Sequence, residues 1–152
     1  MIRTKTAFII FIVLTVIVFP YYIFILSINS DFLNSIIPGW NTTIIHARVI
    51  SNIFKFLILI VVSLYYFKLS GIANEIDLKK FLIHFSLTLP AVFIGKINLW
   101  NLIDFSSYNP EVFMNCIQII VCLNIFINIL FFCGQILFAI NYIKTKRNKQ
   151  VR

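Results

Sequence analysis

Val112–Tyr142 reads VFMNCIQIIVCLNIFINILFFCGQILFAINY, thirty-one residues without a Lys, Arg, Asp or Glu. A helix of about 20 apolar residues crosses the roughly 30 Å hydrocarbon core of a bilayer. A run this long predicts a transmembrane helix that tilts or projects beyond the core. Three further apolar runs precede it, at 7–28, 49–67 and 81–99. The expected fold is all-α: a membrane protein built as a bundle of four transmembrane helices, in a single domain, with a basic tail at 143–152.

Composition supports lipid as the solvent. Hydrophobic residues are 61% of the 152 positions, charged residues only 12%, and there are seventeen phenylalanines. Soluble domains run at roughly 45–50% apolar and about 25% charged. A water-soluble fold would leave exposed apolar patches far above what monomers tolerate. The first run follows Arg3 and Lys5 like a secretory signal, but it is longer than such signals and lacks a small-x-small cleavage site. It reads as a retained span, kinked at Pro20, with Tyr21 and Tyr22 at the headgroups.

The loops carry the orientation. Ten of the thirteen Lys and Arg residues (Arg3, Lys5, Lys68, Lys79, Lys80, Lys144, Lys146, Arg147, Lys149 and Arg152) fall on one side of the four spans. Arg48, Lys55 and Lys96 fall on the other or at the outer helix ends, with Asp31, Asp104 and Glu111. Cytoplasmic segments collect Lys and Arg, so both termini and the 69–80 linker are expected inside. The net charge of +8 is explained by orientation and anionic headgroups, and nucleic acid is not an expected partner. The linker, which contains Gly71, is expected to form a short interfacial turn of helix. Abundant Phe, Ile, Asn and Lys resemble translation from AT-rich DNA, which points to a bacterial inner membrane. Asn41-x-Thr43 would be a glycosylation acceptor only in a eukaryotic secretory pathway.

Few residues invite chemistry. Lys55 lies within the second span, where a charge costs at least about 2.5–3.5 kcal/mol at the helix centre. Arg48, Asn52, Lys55 and Leu59 follow 4-3-4 spacing, so they share a helix face. Arg48 and Lys55 are therefore candidates for an anion or headgroup contact, with Asp104 and Glu111 as counter-ions if the lysine merely snorkels. His46 and His84 fall near opposite ends of their spans, too far apart to share a metal or haem, and His84 reads as an interfacial residue near Lys80. In the fourth span Asn124, Asn128 and Gln135 recur on one face, and amides in lipid need partners. They are the candidate helix–helix contacts. With no G-x-x-x-G motif and few small residues, the helices are expected to pack through bulky side chains.

Cys116, Cys122 and Cys133 lie in one apolar run without a C-x-x-C pair and read as buried thiols packing as small apolar groups. No Walker loop, G-x-S-x-G, H-E-x-x-H or membrane-embedded carboxylate is present. The chain lacks the paired outer cysteines of quinone-linked disulfide oxidoreductases and the buried acid of small multidrug exporters. The expected function is a non-catalytic accessory or structural subunit that packs against a membrane partner through the fourth helix, without cofactor or metal. The alternative is a small transporter or lipid- or anion-binding protein using Lys55 and Arg48.

Overall fold

The computed structural model describes residues 1–21, 47–97, 99 and 110–150, with side chains for all of these but 47–49, 110, 149 and 150. Among the described residues the order is β1 (Ile2–Arg3), α1 (Thr4–Val18), α2 (Ala47–Ile72), β2 (Glu75–Ile76), α3 (Leu78–Ile94) and α4 (Pro110–Gln150). The predicted loops around Trp40 and Asp104, the Asn41-x-Thr43 sequon, His46 and residues 22–28 of the first predicted span lie outside them.

Each helix buries one stripe, at alternating three- and four-residue spacing on the first three and at the seven- and four-residue multiples of that period on the fourth. The stripes are Ala7, Phe11, Leu14 and Val18 on α1, and Lys55, Leu59, Val62, Tyr66 and Leu69 on α2, continued by Ala73 just past its end. Those of α3 and α4 are Phe81, His84, Thr88 and Ala91, and Ile120, Ile127, Phe131 and Phe138. A 3.5-residue period keeps one seam facing its neighbours along the whole length of a bundle. The opposite faces are also apolar: Ile9, Val13, Phe54, Leu57, Val61, Ile125, Phe126 and Ile136 are all exposed. α2 and α4 are long and apolar enough to cross a membrane.

Neighbouring helices run antiparallel. Thr4 bonds the carbonyls of Ala73 and Asn74, while Thr15 meets Ser63 and Phe19 packs on Phe56. Tyr66 meets His84 and Asn52 meets Gly95, and Gln135 meets Thr88. α2 and α4 consequently run parallel to each other. α1 packs closely along α2 and α3 along α4, with less contact between the two hairpins.

Several boundaries differ from the sequence reading. α1 ends at Val18, two residues before Pro20, because a proline disfavours the α conformation in the residue before it. Phe19 accordingly adopts φ −47°, ψ 129°. Its carbonyl accepts from Lys96 Nζ at 3.1 Å, a cation placed at a helix C-terminus. The linker holds a two-residue strand, with Ile2 opposite Ile76 and Arg3 opposite Glu75 in antiparallel register. Thr4 extends this tie: its amide reaches the Asn74 carbonyl at 2.9 Å and its hydroxyl the Ala73 carbonyl at 2.6 Å. One residue thus satisfies an orphan donor at the start of α1 and an orphan acceptor at the end of α2. Asp77 then caps α3 by accepting from the Lys79 amide at 3.0 Å.

α4 continues through the basic segment to Gln150, forty-one residues in all. At 1.5 Å per residue it is about 60 Å long. No Gly or Pro after Gly134 supplies a stop. Packing through bulky residues does not hold at one crossing. A Cβ on Gly134 would stand 3.0 Å from Leu87 Cβ, so α3 and α4 approach closely there.

Candidate functional site

The four helices meet at His84, which α3 directs into the core at 2% exposure. Its ring is sandwiched between Phe11 of α1, stacked at 4.5 Å and 11°, and Phe138 of α4, stacked at 4.7 Å and 15°. Tyr66 of α2 meets Nδ1 at 2.9 Å, and Gln135 Oε1 of α4 meets Nε2 at 3.1 Å. This corrects the reading of His84 as an interfacial residue. It sits on the seam, and its nearest polar groups come from other helices rather than from Lys80.

The hydrogen bonds have a single consistent direction. An amide oxygen only accepts, so Nε2 carries the proton and donates to Gln135; in a neutral imidazole Nδ1 then accepts from the Tyr66 hydroxyl. Gln135 Nε2 donates to Thr88 Oγ1 at 3.1 Å, and Thr88 donates to the His84 carbonyl at 2.8 Å, one turn back. Both ring nitrogens are engaged in this arrangement. Such a closed network fixes the rotation of α2, α3 and α4 about their axes, because rotating any of them leaves a polar group unpaired in an apolar core.

A pocket of about 160 Å³ runs from the ladder end of the molecule to this network. Glu75, Asp77, Lys80, Asn141 and Thr145 line it toward the ladder, and Tyr66 and His84 line it within. Among the described residues, the polar groups at its deep end are those of the His84 network.

The residues singled out from sequence are spread along the molecule. Gln135 belongs to the network. Asn124 is exposed and bonds back to the Ile120 carbonyl of its own helix at 3.0 Å, and Asn128 is half-buried. Lys55 is 7% exposed on the α2 seam, two turns from Ser63, and among the described residues its ammonium has no hydrogen-bond or ion-pair partner. Arg48 is in the first turn of α2 on the same periodic face, and its side chain lies outside the described set. The cysteines are not packed as expected: Cys116 is half-buried, and Cys122 and Cys133 are exposed because they fall beside the α4 seam instead of on it. Among the described residues no group of three His, Cys, Asp or Glu is placed to hold a metal.

Tyr66 and Thr88 were not singled out from the sequence. The available signal was their seam spacing, with Tyr66 seven residues after Leu59 and Thr88 four after His84. A polar residue on the buried stripe of a helix has to be bonded to something. Comparison of the chain with protein-family models, curated proteins and solved structures finds no match.

Proposed function

We propose that the chain is a four-span protein of a bacterial inner membrane, with both termini and the α2–α3 linker cytoplasmic. Its role is that of a non-catalytic accessory subunit that packs against a membrane partner through the outer half of α4. The observation that carries this reading is the contrast along α4. From Glu111 to Phe126 the helix buries a single residue, Ile120, and leaves Asn115, Gln118 and Asn124 exposed within an apolar surface. Amides in that position are best satisfied by a helix from another chain.

Three features support the membrane assignment. The exposed faces of all four helices are apolar, and α2 and α4 are long enough to span. The β1–β2 ladder brings Arg3, Lys5, Lys68, Lys79 and Lys80 to the end of the molecule where α4 carries Lys144, Lys146 and Arg147. That clustering is what the bias of Lys and Arg toward cytoplasmic segments requires. α1 and α3 are about 22 and 26 Å long at 1.5 Å per residue, short for a typical core, and bilayers accommodate such a mismatch by local thinning.

The test is affinity purification in mild detergent of the wild-type chain and of Asn115→Leu/Gln118→Leu/Asn124→Leu. A membrane protein that co-purifies with the wild type and is lost from the variant, while the variant keeps its own thermal stability, is the expected result. Identical co-purification with both would refute the role given to α4.

A second reading is favoured by Lys55, a lysine turned onto the α2 seam at 7% exposure. In that reading Lys55 and Arg48 receive an anion near the outer end. Lys55→Met should stabilise the chain if the lysine has no ligand, since an unpaired charge in lipid is costly. It should abolish anion-dependent stabilisation if the lysine has one.

A further inference from the structure

α2 and α4 run parallel but touch little, and between them lies a lateral groove of about 460 Å³. That volume falls within the roughly 300–1,000 Å³ of small-molecule sites. Leu57, Val61 and Tyr65 form one wall and Ala139, Tyr142 and Ile143 the other, with Gln135 the single amide. Leu57, Val61, Tyr65, Ala139 and Ile143 are exposed, so the groove opens to the surroundings of the helices.

The groove has a polar end. The rings of Tyr65 and Tyr142 meet across it at 4.8 Å and 63°. Lys68 lies one turn beyond Tyr65 with its Nζ 5.8 Å from that ring. Lys146 lies one turn beyond Tyr142, and because the two helices are parallel the two exposed cations stand at the same end. Apolar walls, an aromatic rim and then two cations follow the order of chain, glycerol region and phosphate in a lipid. Two cations at the end of an interhelical cleft are suited to the phosphate of an anionic headgroup.

We infer that this groove binds one anionic glycerophospholipid, with an acyl chain along Val61 and Ala139 and its phosphate between Lys68 and Lys146. The inference rests on the membrane reading but not on which end is cytoplasmic or on a protein partner. The experiment uses the full chain, delipidated in detergent and titrated with phosphatidylglycerol or phosphatidylcholine. Bound lipid is counted by native mass spectrometry and stability is followed by thermal unfolding. One phosphatidylglycerol should be retained per chain, in preference to phosphatidylcholine, and should raise the unfolding temperature. Lys68→Ala/Lys146→Ala should weaken it roughly tenfold or more, whereas Lys5→Ala/Lys79→Ala, with the same loss of charge elsewhere, should stay within about twofold. Ala139→Phe, at an exposed position, should displace the lipid while leaving the helical content unchanged.

Equal retention of both lipids, equal weakening in the two double variants, or full retention in Ala139→Phe would overturn the inference. So would the same stabilisation by inorganic phosphate alone, or occupation of the groove by a second copy of the chain. A negative lipid result with the expected reporter topology would reject this site and leave the four-span reading intact.

Discussion

The ladder half of the molecule and the opposite half solve the same problem differently. Around His84 every polar side chain in the core has a partner from another helix, two phenyl rings cover the imidazole, and α1 is tied to α2 through Thr4. Toward Glu111, α4 is largely uncovered, Asn124 turns back on the Ile120 carbonyl of its own helix, and Lys55 sits on the α2 seam. The first half is self-sufficient. The second has surface and polar groups in excess of what the described chain uses, which is the pattern expected where another component docks.

The largest effect should come from the ring that covers both Tyr66 and His84. Phe11 is fully buried and stacks on each, at 4.9 and 4.5 Å. Phe11→Ala should cost about 3–5 kcal/mol. Phe126→Ala, on the exposed face of the uncovered half, should fall within about 0.5 kcal/mol. Unfolding by denaturing detergent, followed by circular dichroism, measures both. Equal costs would erase the difference between the halves.

A smaller effect sharpens the comparison at one atom. Tyr66→Phe keeps the ring and removes only the donor to His84 Nδ1, leaving a buried acceptor unpaired at about 1–3 kcal/mol. Asn124→Leu removes an amide that bonds only within its own helix among the described residues, so the isolated chain should be unchanged or slightly more stable. A costly Asn124→Leu in the isolated chain would mean that its partner lies within this protein. The smallest effect belongs to Thr4→Val, about 0.5–1.5 kcal/mol through loss of its hydroxyl bond to Ala73, with Thr4→Ser near wild type.

What the sequence made legible was whatever local periodicity encodes. Apolar runs located the helices, and the 4-3-4 spacing of Arg48, Asn52, Lys55 and Leu59 marked a face that the structure turns inward at Asn52, Lys55 and Leu59. Long-range features were not legible. His84 bonds residues 18 and 51 positions away, and no window around it distinguishes a seam histidine from an interfacial one. The β1–β2 pair is two residues long on each strand, too short for alternation to register. The helical basic segment was missed because Lys144–Arg147 ends the apolar pattern without ending the helix: long charged side chains are good helix formers.

The central claim is that lipid surrounds these four helices and that the ladder end, with both termini, faces the cytoplasm. Reporter fusions placed after Trp40, Asn74, Ser106 and Arg152 in the full chain test it most directly. The account predicts outside, inside, outside, inside. A fusion at Asn74 reporting the opposite side from the one at Arg152, or a chain recovered wholly in the soluble fraction, would contradict it.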